Sequence, residues 1–103
     1  MRLLSRNAAR ILARLLASPD DAFYGYKLMQ DTGIKSGSLY PILARFEDLG
    51  WITGHARPSI GGRPPRRVYM VDTSAQPQME KALTRFFDAK GVTREKRCKW
   101  ASL

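Results

Sequence analysis

The chain has 103 residues, 44% of them hydrophobic, so it makes one small domain that can fold alone and would gain from pairing with a second copy. Eighteen Lys and Arg face nine Asp and Glu, and the resulting net charge of +9 fits a polyanionic partner, although charge alone licenses only non-specific attraction to nucleic acid or anionic lipid. A single cysteine, Cys98, excludes an internal disulfide, the lone His55 reads as a surface residue, and no cofactor, zinc cluster or membrane span is implied, which together point to a reducing cytoplasm.

The first segment, "LLSRNAARILARLLAS", places apolar residues at Leu4, Ala8, Ile11, Leu12 and Leu15, the spacing of a helix with one buried face. Arg2, Arg6, Arg10 and Arg14 form a stripe on another side, which reads as a solvated face and interrupts any signal-peptide pattern. Pro19 with Asp20 and Asp21 stops this helix and offers a cap to the next. "FYGYKLMQDTG" supplies about two helical turns, with Gly33 as a left-handed stop. Gly25 would cost roughly 1 kcal/mol in a helix interior. It reads either as a frayed start or as a close crossing by a neighbouring helix.

A third helix runs from about residue 36 to Leu49 and stops at Gly50. Leu39, Ile42, Leu43, Phe46 and Leu49 share its apolar face, and Tyr40, Ala44, Arg45 and Asp48 are left facing outward. Pro41 is tolerable in the first turn, which places the helix start at Ser36 to Ser38, each able to cap it. After Gly50 the period changes. "WITGHAR" and "RRVYMV" read as two strands of a β-hairpin around the loop "PSIGGRPP". Between Ile52 and Val71 lie Arg57, Arg63, Arg66 and Arg67, with no acidic residue among them. A last helix from about Ala75 to Lys90 follows Thr73 or Ser74 as cap, with Met79, Ala82, Leu83, Phe86 and Phe87 on one stripe. The basic tail from Gly91 has no clear period and reads as loosely ordered.

This order predicts a fold that is mainly α with a small β-hairpin: a winged helix-turn-helix over residues 1–73, a C-terminal dimerisation helix over 74–90 and a basic tail over 91–103. In such a fold the third helix leads into the major groove with its N-terminal residues. Free N–H groups and the positive dipole end suit a phosphate there. Ser36 and Ser38 add hydroxyl donors, Gly37 lets the backbone approach, and Tyr40 can donate to phosphate while its ring packs on sugar or a thymine methyl. Pro41 contributes a rigid apolar surface, and Arg45 can reach phosphate or a guanine edge. Arg63 at the turn would enter the minor groove or clamp phosphate, with Arg66 and Arg67 on the adjacent backbone. The alternative is that the serines only cap the helix and Tyr40 is half-buried core.

"YGYKLMQDTGIKSGSLYPILARFEDLGWI" followed by "GGRPPRRVYMV" resembles the PadR family of bacterial transcriptional regulators over roughly residues 11–73. The resemblance rests on Tyr24-Gly25-Tyr26, on Gly37 through Leu43, on Arg45-Phe46-Glu47 with Gly50, and on Gly61-Gly62-Arg63-Pro64 with Tyr69. It implies a dimeric DNA-binding protein, usually a repressor, and carries DNA contact over to Ser36, Ser38, Tyr40, Arg45 and Arg63. Members often respond to small molecules such as phenolics or drugs, so a small-molecule effector is a further expectation. Ser38 stands where threonine is frequent, Phe46 and Trp51 where leucine is, and Val68 and Met70 where aromatic or basic residues are. With one helix of about four turns after the hairpin, the chain is similar to the short members.

Exposing Met79, Leu83, Phe86 and Phe87 together would be unfavourable, since burying each is worth roughly 1.5–3 kcal/mol. The stripe therefore either folds back on the first helix or pairs with a second copy. Pairing is the reading adopted, with Leu3, Leu4 or Ile11 completing the seam, and it predicts a two-fold dimer on a palindromic DNA site. The competing reading is a basic RNA-binding or ribosome-associated winged-helix protein; a third is a protein-interaction module. No paired-carboxylate, nucleophile-plus-base or metal constellation supports an enzyme.

Overall fold

The structure, a computed structural model, describes residues 4–57, 61, 66–93 and 95–97, with only the backbone of Arg57 and Arg66. Its elements in chain order are α1 (Arg6–Ala17), β1 (Ala22–Tyr24), α2 (Gly25–Thr32), α3 (Ser36–Asp48), β2 (Ile52–Arg57), β3 (Arg66–Val71), a 3-10 turn (Thr73–Ala75) and α4 (Gln76–Lys90). The strands form one antiparallel sheet in the order β1-β3-β2. This is a winged helix: the β2–β3 hairpin is the wing, and α2 and α3 are the helix pair that precedes it.

Sequence periodicity accounts for α1. Ser5 accepts a hydrogen bond from the Ala8 N–H at 3.1 Å and caps the helix, while Ala8, Ile11, Leu12 and Leu15 are buried. The arginine stripe is not uniformly solvated. Arg14 donates to Asp31 of α2 at 3.1 Å and lies 5.5 Å from the centre of the Phe23 ring.

One strand escapes sequence reading. Ala22–Tyr24, of which Phe23 and Tyr24 were expected to start the second helix, pairs with β3 in the register Ala22↔Met70, Phe23↔Tyr69 and Tyr24↔Val68. Helix α2 therefore begins at Gly25, and its flanking Tyr24 provides no side-chain cap. The corner to α3 is built by Gly33 at φ 73° and by Thr32. The buried Thr32 hydroxyl donates to the Leu28 carbonyl at 2.6 Å and accepts from the Ile34 N–H at 3.3 Å. Both polar needs of that residue are met locally, so a hydroxyl can sit under the corner without penalty.

Helix α3 ends as its sequence predicts. The Trp51 N–H bonds to the Phe46 carbonyl at 3.0 Å and the Gly50 N–H to the Glu47 carbonyl at 2.9 Å, with Gly50 at φ 76°. This is a Schellman closure, and its accompanying apolar contact is present: the Phe46 and Trp51 rings are 5.4 Å apart. Leu49, expected on the buried face, is the C-cap residue of α3 and is 47% exposed. The same closure ends α4, where Val92 donates to the Phe87 carbonyl and Gly91 to that of Asp88.

The core joins α1, α2, α3, the sheet and α4 through Leu12, Leu28, Leu39, Leu43, Phe46 and Met79. Helix α4 folds back on α1. Met79, Phe86 and Phe87 are buried within the one chain, Phe86 and Phe87 against Ala9, and Ile11 is fully buried. The stripe thus needs no second copy to cover it; among the described residues expected at a dimer seam only Leu4 and Leu83 remain partly exposed, and Leu3 lies outside the described residues. Neither Thr73 nor Ser74 caps α4, whose N-cap is Ala75; Asp72 instead caps the 3-10 turn before it, its carboxylate accepting from the Ser74 N–H at 3.0 Å and hydroxyl at 2.7 Å. Nor is the start of the tail loose. Arg97 donates to Asp88 at 2.6 Å and to the Val92 carbonyl at 3.2 Å, and stands 5.3 Å from the centre of the Phe87 ring. Cys98 and Trp100 lie outside the described residues. Among those described, no helix is long and apolar enough to cross a membrane.

Candidate nucleic-acid interface

The outward side of α3 is built from the residues that its inward side leaves over. Leu39, Leu43 and Phe46 are buried, so Ser36, Gly37, Ser38, Tyr40, Pro41, Ala44, Arg45 and Asp48 are all exposed. Lys35, in extended conformation, precedes the helix; the carbonyl of Lys35 accepts from the N–H groups of Ser38 and Leu39 at 3.0 and 2.9 Å. Ser36 and Ser38 consequently lie inside the first turn instead of capping it, and both are exposed, with no hydroxyl hydrogen bond among the described residues. Pro41 is the sixth residue of the helix, beyond the first turn where it was expected. Its nitrogen has no hydrogen to give the Gly37 carbonyl, and the exposure of Gly37 lets water take that place.

Tyr40 is 42% exposed, so it is not sealed in the core. The edge of its ring lies on Gly25, where an added β-carbon would stand 2.7 Å from the phenol oxygen and 2.8 Å from a ring carbon. Both readings of Gly25 hold in part: it is the first residue of α2, buried and not frayed, and the Tyr40 side chain of α3 approaches it closely. The phenol also acts electrostatically on Tyr69 of β3, whose own hydroxyl is pushed up by burial and pulled down by Arg67.

The wing meets α3 through an ion pair that sequence reading missed. Arg67 approaches Glu47 with Nη2 2.9 Å from Oε2 and Nε 3.4 Å from Oε1. Hydrogen bonding to the carboxylate, and then its charge, holds the guanidinium above its ordinary pKa. Arg67, expected on the DNA backbone beside Arg63, is thus partnered within the chain. The available signal was the glycine in "WITGHAR", since an interior strand glycine often marks a close approach. Of the other hairpin arginines, Arg63 lies outside the described residues and Arg66 is known by its backbone in β3. Gly61, between the strands, is exposed with φ 64°.

Behind α3 opens a groove of about 150 Å³, between the start of α1, the end of α3 and α4. Leu4, Phe46, Trp51 and Ala82 are among its lining, together with the guanidinium-bearing Arg45 and Arg85 and no carboxylate. Among the described residues, no group of acidic, Cys or His side chains could hold a metal ion.

Residues 12–81 match the sequence profile of the transcriptional regulator PadR-like family, which covers well over half of the chain. The chain belongs to the PadR-like family. It is therefore a DNA-binding transcriptional regulator and not an enzyme. Solved structures share the fold. The circadian clock associated protein Pex from Anabaena is 25% identical with a TM-score of 0.61, over 84% of this chain and 81% of that one. A PadR family transcription regulator from Clostridium difficile R20291 is 18% identical at a TM-score of 0.65, over 88% and 97% of the two chains. Another, from Eggerthella lenta, is 21% identical at 0.63, over 84% and 80%. These last two likenesses speak to the fold alone. No curated protein matches the chain. Within the PadR-like fold, α3 is the helix whose exposed tip carries the predicted DNA contacts.

Proposed function

We propose that this PadR-like protein is a dimeric repressor that binds a palindromic operator through the tip of α3 and the arginines of the wing. The single observation that carries this reading is the exposure of Ser36, Gly37, Ser38, Tyr40, Pro41 and Arg45 on one helix whose opposite face is packed into the core. The serine hydroxyls and first-turn N–H groups suit phosphate, and the Tyr40 ring and Pro41 suit sugar and thymine methyl groups. Arg45, farther along, reaches a phosphate or a guanine edge. Arg63 and Arg66 supply the flanking backbone contact, with Arg67 held beside them by Glu47.

The dimer is assigned to the outer faces of α1 and α4, with Leu4 and Leu83 as its apolar points. Two copies would present their α3 helices roughly 34 Å apart, one turn of duplex. The seat assigned to a small-molecule effector is the groove between α1, α3 and α4, which is apolar with cationic Arg45 and Arg85 in its wall.

Selection of bound fragments from a random duplex library is the deciding test. Enrichment of a palindrome, with light scattering that reports a dimer, supports the reading. A preference for structured RNA over every duplex would replace it with the RNA-binding alternative. Arg63→Ala is expected to weaken binding to all sequences and to lower the salt slope by about 0.9, the loss of one phosphate contact.

A further inference from the structure

Glu47 and Arg67 are joined in a way that costs the fold something. Their side chains are 25% and 49% exposed, and ion pairs so open to water contribute little stability. Yet β2 carries a glycine for them. A β-carbon on Gly54 would lie 2.6 Å from Glu47 Oε1 and 2.8 and 2.9 Å from Arg67 Nε and Nη2. An interior strand glycine weakens its strand, so the sequence gives up sheet stability to admit a pair that returns little of it. The pair also lies between the two elements assigned to DNA. Glu47 is in the last turn of α3, Arg67 follows the wing turn, and the Arg67 guanidinium stands 5.8 Å from the centre of the Tyr69 ring.

We propose that Glu47 is a positioning residue for DNA recognition: across Gly54 it holds Arg67 in a two-point grip that locks the wing to α3 and withholds the Arg67 charge from indiscriminate phosphate contact. A two-point carboxylate–guanidinium contact fixes direction as well as distance, so the wing strand and the recognition helix meet a duplex as one body. The inference rests on reading α3 and the hairpin as the DNA-contacting elements.

Two variants break the grip by different means. Glu47→Gln removes the charge. Gly54→Ala leaves every charge in place and displaces only the tips of two flexible side chains, so the fold is retained. Each is compared with wild type on the duplex that the wild-type protein enriches from a random library and on a scrambled duplex of equal length, across a salt series. The expected result is a loss of the enriched-to-scrambled affinity ratio by roughly tenfold in both variants, the size of one mispositioned base contact. On the scrambled duplex the salt slope should steepen by about 0.9, because the released Arg67 gains a phosphate. Equal weakening on both duplexes, or an unchanged ratio and slope, would overturn the proposal and leave the pair as ordinary surface packing. Should Gly54→Ala lower the melting temperature, Glu47→Gln carries the comparison alone. If wild type enriches no duplex at all, the DNA reading itself fails and this inference falls with it.

Discussion

The Tyr40 ring rests on Gly25: a β-carbon there would meet the phenol oxygen at 2.7 Å. The absence of one side chain on α2 thereby sets where a half-exposed aromatic of α3 stands. Gly25→Ala is expected to leave the melting temperature nearly unchanged, since alanine suits a helix better and the ring has solvent into which to turn. DNA affinity should nevertheless fall by about tenfold, as for one lost contact. Thermal melts beside fluorescence anisotropy on the enriched duplex check both halves. A large drop in melting with unchanged binding would make Tyr40 a packing residue only.

Arg14 and Asp31 tie α1 to α2 with side chains only 24% and 19% exposed. The same guanidinium lies against Phe23 of β1, so a single residue serves three elements. Arg14→Ala should destabilise the protein by about 1–2 kcal/mol, more than a fully exposed pair would. Arg14→Met should recover part of this through packing alone. Urea titrations of both variants measure the difference.

Phe86 is buried between α4 and α1 inside one chain. Phe86→Ala should cost about 3–5 kcal/mol of stability, the range for a truncated core aromatic. Oligomeric state is better probed at Leu83, which packs at the edge of the same cluster and stays partly exposed. Leu83→Asp is expected to yield a folded monomer by light scattering and circular dichroism. Persistence of the dimer would move the seam elsewhere.

The Ser74 hydroxyl and N–H together hold the Asp72 carboxyl below the usual carboxylate range. A depressed folded-state pKa means that the cap contributes stability above the unfolded pKa and loses it as pH falls through the folded one. Asp72→Ala should therefore melt at a lower temperature than wild type near neutral pH, with the gap closing toward about pH 2. Melts across that range test the sign.

Much of the fold is legible because its signals are local. Gly33, Gly50 and Gly91 stand at the left-handed ends of helices, and Leu39, Leu43 and Phe46 repeat at helical spacing, so chain order alone yields a winged helix. What escapes is decided at a distance. Phe23 and Tyr24 belong to a strand only because Tyr69 and Val68 arrive to pair with them. Whether Met79 and Phe86 face a second copy or the chain's own α1 depends on the angle at which α4 leaves the 3-10 turn, which periodicity does not encode. The outward residues of α3 follow from subtraction of its core face. The Glu47–Arg67 grip does not, since the register of β2 on β3 has to be known before the two charges can be brought across Gly54.

Arg45 borders the groove behind α3 and also stands on the face of that helix turned outward. An anion lodged in the hollow and a phosphate on the far side would compete for the same guanidinium. Reciprocity then requires that whatever factor such an occupant takes from operator affinity, the operator takes from the occupant's. Sensing and reading would be two claims on one side chain, with no relay between distant sites.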